Sequence, residues 1–141
     1  GLQKIASSLE DNSTLKTLSL YNNHINPNGA RYIAKALQCN SSLTELELQQ
    51  NYIKARGLSI IVESLANNYT LTKLNLDHPW EEKYDSKYWN ILWNKDPLLE
   101  RNQRIATALE QETNPMLLYS DSTSKDDDPM ELDVDHHNLA P

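Results

Sequence analysis

Three short motifs in this 141-residue chain carry side chains that could be chemically modified. Asn-x-Ser/Thr triplets, the acceptors of N-glycosylation, begin at Asn12, Asn40 and Asn68. These triplets lie 28 residues apart, so they also fit a repeated unit in which Asn and Ser/Thr end a helix and lead into a strand. We therefore interpret them as structural features of a repeat and not as glycosylation sites.

The C-terminal segment contains the remaining candidate groups. His136 and His137 follow acidic residues and could weakly hold a transition metal. Thr123 and Ser124 each lie three residues before an aspartate, which resembles the acceptor site of an acidophilic kinase. A solvated acidic tail explains the same residues, and we predict no metal site.

Motifs of enzymes are absent from the sequence. The three glycines are equally spaced, so they belong to a repeat and not to a phosphate-binding loop, and neither GxSxG nor HExxH occurs. Cys39 occupies the polar turn position that Asp11 and Asn67 hold elsewhere in the repeat, which favours a tolerated thiol over a nucleophile. We predict a protein that is not an enzyme and that has no cofactor and no small-molecule substrate.

A leucine pattern recurs with the same 28-residue spacing. The stretch LKTLSLYNNHI at 15–25 returns as LTELELQQNYI at 43–53, and LTKLNL at 71–76 begins a third copy. Alternating side chains in Leu-x-Leu indicate a strand, and the apolar spacing at 33–37 indicates an amphipathic helix. Units of this kind stack into a parallel sheet with helices on one side, and the strands line the concave face because helices are wider.

The strand positions between the leucines point out of the core and are free to meet a partner. The candidate partner-binding residues on the concave face are Thr17, Ser19, Tyr21, Glu45, Glu47, Gln49, Lys73, Asn75 and Asp77. Tyr21 is the best single anchor because aromatic side chains dominate interface energetics. Glu45 and Glu47 would attract a basic patch on a protein partner. The alternative is that these side chains are merely solvated.

Two asparagines occupy equivalent positions where the chain leaves the sheet. Asn23 and Asn51 fall in register with the leucines, at a place where backbone groups lose their partners in the sheet. An Asn side chain offers both donors and an acceptor to replace those partners. We predict that Asn23 and Asn51 form a structural ladder.

The pattern LxxLxLxxNxI over residues 1 to about 78 resembles leucine-rich repeats of the ribonuclease-inhibitor type. Similar repeats occur in Ran GTPase-activating proteins, NOD-like receptors and tropomodulins. The resemblance implies an α/β leucine-rich-repeat solenoid with parallel strands on the concave face and helices on the convex face. It is specific for the fold and poorly specific for function, because such proteins share a scaffold and not a chemistry.

The third repeat loses the pattern, since Pro79 and Glu81 replace its Asn and Ile. We predict three regions: leucine-rich repeats at 1–84 with a partial first repeat, a helical C-terminal cap at 85–118 and a disordered acidic tail at 119–141.

Within the cap, Asp96 can cap a helix that Pro97 begins. We expect Leu98, Ile105 and Leu109 to share one face of that helix. In the repeat register Trp89 and Trp93 continue the apolar helix positions, and we expect them to cover the open end of the last full repeat.

Charge and composition exclude several classes of function. Residues 120–141 carry a net charge of −6 out of the total of −7, so the body is nearly neutral and lacks the basic surface that nucleic acid requires. No apolar run approaches the roughly 20 residues of a membrane span. The single cysteine favours a reducing compartment, and we predict a cytoplasmic protein. The half repeat at the start suggests that further repeats precede Gly1.

Three functional hypotheses remain open from the sequence. The first is a non-catalytic module that binds a protein partner on the concave face. The second is a regulator of a small GTPase, like the Ran GTPase-activating class. The third is a fragment of a longer NOD-like or cytoskeletal receptor, in which these repeats only extend a solenoid.

Overall fold

A computed structural model of the protein describes residues 1–77 and 86–113. Three helix–strand units follow one another and a fourth helix comes after them. In chain order the elements are α1 (Leu2–Asp11), β1 (Thr17–Ser19), α2 (Pro27–Cys39), β2 (Glu45–Glu47), α3 (Lys54–Ser64) with a 3₁₀ turn (Leu65–Asn67), β3 (Lys73–Asn75) and α4 (Ser86–Thr113). The constant order of helix and strand follows from the repeated pattern in the sequence.

The three strands form one parallel sheet in the order β1-β2-β3. Leu18 pairs with Leu46, and Leu46 pairs with Leu74, so equivalent residues of successive repeats lie side by side. The predicted alignment of these leucines on adjacent parallel strands is confirmed. The register follows from the 28-residue period, because a one-residue slip would turn every leucine to the other face of the sheet.

The core lies between the sheet and helices α2 and α3. Leu37 and Ile61 from the helices and Leu43 and Leu46 from the strand segments have no exposed surface. Burial of each such side chain contributes about 1.5–3 kcal/mol relative to an exposed one. The leucines of the repeat pattern therefore supply most of the core, as the sequence predicts.

Glycines in the first turns of α2 and α3, Gly29 and Gly57, permit close packing of neighbouring helices. A Cβ atom on Gly57 would lie 2.8 Å from Ile53 Cγ2, 3.0 Å from Ala30 Cβ and 3.1 Å from Pro27 Cα. The approach to Ile53 is closer than real Cβ atoms come, and the two contacts with α2 are tighter than most, so a larger residue would strain the packing of α3 on α2. Helix–helix contact therefore accounts for Gly29 and Gly57, whereas a Cβ atom on Gly1 would meet nothing within 4 Å.

Helix α4 runs without interruption from Ser86 to Thr113 and contains Pro97. The prediction that a helix capped by Asp96 begins at Pro97 is therefore wrong. Proline inside the helix lacks the N–H that would donate to the carbonyl of Trp93. The helix continues through this missing bond because its following turns pack against α3 and the 3₁₀ turn.

The packed face of α4 also differs from the predicted one. Leu99 is buried and Leu98 is half-buried, whereas Ile105 is 37% and Leu109 is 56% exposed. Trp93 is 71% exposed, so it does not cover the end of the last full repeat. The helix meets the rest of the protein chiefly through Leu99 and Asn102, with Ile91 and Leu98 partly buried against the core, while Trp93 and Leu109 are exposed.

Several predictions fall outside the described residues. These are the break in the third repeat at Pro79 and Glu81, the acidic tail and the His136–His137 pair; the side chain of Trp89 is not described either. Of the helices that the structure describes, none is long and apolar enough to cross a membrane.

Candidate functional site

The face of the sheet that points away from the helices carries the residues predicted to bind a partner. Strand pairing arranges them in three rows across the sheet, and we call this surface the open face. The rows are Thr17, Glu45 and Lys73; then Ser19, Glu47 and Asn75; then Tyr21, Gln49 and Asp77. The third row lies just beyond the strands, and backbone bonds extend the pairing toward it: Leu20 N donates to Glu47 O at 2.9 Å and Asn22 N donates to Gln49 O at 3.0 Å.

The first row contains an ion pair. Lys73 Nζ lies 2.5 Å from Glu45 Oε1, and both side chains are partly exposed. The hydrogen bond to the Glu45 carboxylate, together with its charge, raises the pKa of Lys73 above the usual value for lysine. Glu45 is therefore already neutralised within the protein, so less of its charge is available to a basic partner than the sequence suggests.

The second row presents a carboxylate that forms no ion pair with a described residue, although its charge adds to that of Glu45 in raising the pKa of Lys73. Glu47 is half-buried and lies between Ser19 and Asn75. Among the described residues no Lys, Arg or His nitrogen lies within ion-pair distance of it. Glu47 is consequently the acidic group of this surface most open to a positively charged partner.

The third row contains an exposed aromatic ring, a carboxylate that bonds to the backbone and an amide whose oxygen is buried. Tyr21 is 54% exposed and stands at the end of β1. Asp77 Oδ1 accepts a hydrogen bond of 2.6 Å from Gln50 N, which helps to hold the turn after β2. Gln49 lies between them, and its Oε1 is buried and receives no hydrogen bond from the described residues. Asp77, predicted as a binding residue, therefore also acts as a local brace.

The two equivalent turn asparagines have different environments. Asn51 Oδ1 accepts from Asn23 N at 3.1 Å and Ile25 N at 2.8 Å. Its Nδ2 donates to Leu20 O at 2.8 Å, Leu48 O at 2.9 Å and Gln49 O at 3.2 Å. Asn51 thus joins the turns of two repeats, which is the arrangement expected of a ladder residue.

Asn23 is exposed, and its side chain bonds only to Tyr21 O at 3.0 Å among the described residues. The expectation of a buried Asn at this position is not met. The residue lies in the first strand unit of the described chain, and no strand of the described sheet lies on the outer side of β1. Within the described sheet, its amide therefore has no further strand unit to join.

A second asparagine ladder, which the sequence reasoning did not identify, lies at the opposite end of the strands. Asn40 Nδ2 donates to Leu9 O and to Asn12 O, both at 2.8 Å. Asn68 Nδ2 makes the same pair of bonds one repeat later, to Leu37 O at 2.8 Å and Asn40 O at 3.2 Å. The 28-residue recurrence of Asn was the available signal, and it was interpreted only as a turn preference.

This second ladder bears on the glycosylation motifs. Asn40 is 4% and Asn68 is 2% exposed, and the Nδ2 atom that would carry a glycan donates to backbone carbonyls in each. Folded chains therefore do not present these two asparagines for modification. The structural interpretation agrees with this geometry at Asn40 and Asn68, whereas Asn12 is exposed.

Helix α4 supplies the final rung of the second ladder. Asn102, which is fully buried, donates from Nδ2 to Asn68 O at 3.0 Å and to Leu71 O at 2.7 Å. Arg101 Nη2 donates to Leu65 O at 3.0 Å and Asn68 O at 2.6 Å. These two residues of α4 donate to carbonyl groups at the end of the third repeat. Without α4, those carbonyl groups would lack these donors.

The remaining candidate groups show no chemical site. Cys39 is exposed and unpaired within the described residues. No cluster of three His, Cys, Asp or Glu side chains suited to a metal ion occurs in the described ranges.

Comparison with known proteins places this arrangement in a family. Residues 1–88 match the family model of the TMOD/LMOD leucine-rich domain. The solved structure of leiomodin-1 actin-binding site 2 is similar, with a TM-score of 0.64, 25% sequence identity and 79% of each chain covered. The tropomodulin C-terminal domain of Caenorhabditis elegans gives a TM-score of 0.47 at 13% identity, covering 79% of this chain and 80% of that one. No curated protein gives a significant match.

These comparisons show which of the leucine-rich-repeat proteins named from the sequence this chain resembles. They support repeats of the kind found in tropomodulins and leiomodins, and they give no support to a NOD-like receptor or to a regulator of a small GTPase. The family match covers more than half of the chain. The chain belongs to the family of the TMOD/LMOD leucine-rich domain.

Proposed function

We propose that this protein is a non-catalytic binding module whose open face holds a protein partner, and that actin is that partner. The similarity to the actin-binding site of leiomodin-1 is the observation that carries the choice of actin. Family membership and the outward display of three rows of side chains support the binding role. The mechanism is presentation of rigid strand residues, with no turnover.

The rigidity of this surface has a structural cause. Both ends of the strands are tied to neighbouring repeats, by Asn51 at one end and by Asn40 and Asn68 at the other. Side chains on the open face therefore keep their spacing when a partner arrives. The backbone of the strands therefore loses little conformational entropy on binding, which favours association.

The size of the open face sets the expected strength of binding. Three strands about 4.8 Å apart, with three outward positions each, span roughly 10 Å by 13 Å. A face of nine side chains on this span is smaller than the roughly 800 Å² of accessible surface that each partner buries in a standard interface. We expect weak binding that depends on a few residues, chiefly Tyr21 and Glu47, and that weakens with added salt because Glu47 is partly exposed.

We further propose that the helix–strand units form a short leucine-rich-repeat solenoid, with long repeats of the ribonuclease-inhibitor type. In this proposal α4 serves as its C-terminal cap. The Asn102 and Arg101 bonds to the third repeat support the cap, because they satisfy carbonyls that an end of the stack would leave bare. Domain boundaries at 84 and 118 and a cytoplasmic location remain part of the proposal.

Co-sedimentation of the full chain with actin filaments tests the proposed function. We expect the wild-type chain to pellet with actin and the triple variant Tyr21→Ala, Glu45→Gln, Glu47→Gln to lose most of that binding. A matched variant on the helical side, Tyr32→Ala with Glu63→Gln, changes the same residue types and should bind normally. Equal binding by the two variants would exclude the open face, and no binding by the wild type would exclude actin.

A further inference from the structure

Tyr21, Glu47 and Gln49 lie together on the open face. Gln49 stands in the same row as Tyr21 on the adjacent strand, and Glu47 precedes it by two positions on the same face. Standard strand dimensions place the Cα atoms of Tyr21 and Glu47 about 8 Å apart. The three side chains therefore frame one small area at the ends of β1 and β2.

The ring of Tyr21, the carboxylate of Glu47 and the amide oxygen of Gln49 are each left unpaired by the described residues. The ring of Tyr21 is 54% exposed. Glu47 has no ion-pair partner among the described residues, whereas Glu45 pairs with Lys73. Gln49 Oε1 is buried without a donor from the described chain. An exposed ring, a carboxylate and an amide oxygen together call for a ligand that is cationic, planar and rich in N–H donors.

A guanidinium group meets these requirements and an ammonium group does not. Arginine stacks flat on an aromatic ring while its N–H groups fork toward carboxylate and carbonyl oxygens. Lysine carries a compact, strongly hydrated charge that cannot stack in this way. The same chain shows the contact elsewhere: Arg101 Cζ lies 4.3 Å from the centre of the Tyr69 ring while its N–H groups donate to backbone carbonyls.

We propose that Tyr21, Glu47 and Gln49 form a recognition site for one exposed arginine side chain of the protein partner. The guanidinium stacks on Tyr21 and forms an ion pair with Glu47, and it donates to Gln49 Oε1 once that buried oxygen turns outward. This inference rests on the proposed function, since it specifies what the open face recognises. It does not require the partner to be actin.

NMR titration of the full chain, uniformly labelled with ¹⁵N, tests the site directly. The probes are Nα-acetyl-arginine methylamide and the corresponding lysine compound, each raised to about 50 mM at low salt. We expect the arginine compound to shift the amide signals around Tyr21, Glu47 and Gln49 along a saturating curve. The lysine compound should bind at least about threefold more weakly, because it gains no stacking on the ring.

Matched variants separate the site from general charge attraction. Tyr21→Leu keeps an apolar side chain but removes the ring, and should weaken arginine binding about two- to fivefold. Glu47→Gln should weaken it by a similar factor, and Tyr32→Leu on α2 should have no effect. Equal shifts with arginine and lysine, or shifts centred away from these three residues, would overturn the proposal.

The two proposals fail in distinguishable ways. Arginine-selective shifts with no actin co-sedimentation would keep the site and reject actin. Actin binding that depends on the open face without arginine-selective shifts would keep the proposed function and reject this inference.

Discussion

Replacing Asn51 by alanine should destabilise the protein strongly, because one side chain serves five backbone groups in two repeats. Ile25 N, Leu20 O and Leu48 O belong to buried residues, so water cannot readily replace their bonds to Asn51. At about 1 kcal/mol for each such group left unsatisfied, the loss is about 3 kcal/mol. Urea titration of the full chain, followed by circular dichroism at 222 nm, measures it as a lower midpoint.

Asn23 provides the matched control, since it holds the equivalent position one repeat earlier. Its side chain is exposed and donates to Tyr21 O alone. Asn23→Ala should therefore cost less than about 0.5 kcal/mol, the usual range for a surface substitution. Equal shifts of the urea midpoint in both variants would contradict this reasoning, as would a cost below about 1 kcal/mol for Asn51→Ala. Either result would show that the burial and hydrogen bonds of Asn51 do not determine its contribution to stability.

Two further predictions concern packing at the ends of the repeats. Asn102→Ala should lower the free energy of unfolding by about 2–3 kcal/mol, because its two backbone acceptors in the third repeat are left buried. The exposed neighbour Gln103→Ala should leave the urea midpoint nearly unchanged, and similar losses in both would contradict the role of Asn102. Gly57→Ala should lower the thermal midpoint, at a cost of about 1–2 kcal/mol, because the added Cβ meets Ile53 and the adjacent helix. Gly1→Ala should leave the thermal midpoint unchanged, because the added Cβ meets nothing within 4 Å. A higher thermal midpoint for Gly57→Ala would contradict the prediction and show that α3 can move aside.

The repeat was predictable from the sequence because its signal is local and is written more than once. The alignment of Leu18, Leu46 and Leu74 followed from spacing alone, and the strands have that register. The inward or outward direction of strand side chains followed from their alternation. Repetition made both predictions secure, since an error in one copy would conflict with the next.

The candidate site was less predictable, because residue type does not show which groups are already engaged. The sequence gives Glu45 and Glu47 equal weight, yet Lys73 pairs with Glu45 and leaves Glu47 without a described cation. Asp77 looked free and instead holds Gln50 N. Bonds between repeats join residues 27 to 31 positions apart, and reasoning about single residues did not compare these partners.

The packing of helix α4 was also difficult to predict from the sequence. The pattern of Leu98, Ile105 and Leu109 suggested one apolar face, and Pro97 suggested a helix start. The helix instead begins at Ser86 and meets the third repeat through Leu99 and Asn102. Asn102 can be buried against the third repeat because its side chain forms hydrogen bonds there. Hydrophobic periodicity does not reveal a buried polar residue of this kind.

What the sequence by itself determined is the repeated helix–strand unit, the parallel register and the identity of the outward side chains. These depend on the spacing of residues along the chain, and equal spacing dictates equal geometry in each copy. Only the tertiary structure decided which charges are neutralised, which asparagines are buried and where α4 packs. Those outcomes depend on contacts between repeats, because the free energy of a polar group is set by the partners that folding brings to it.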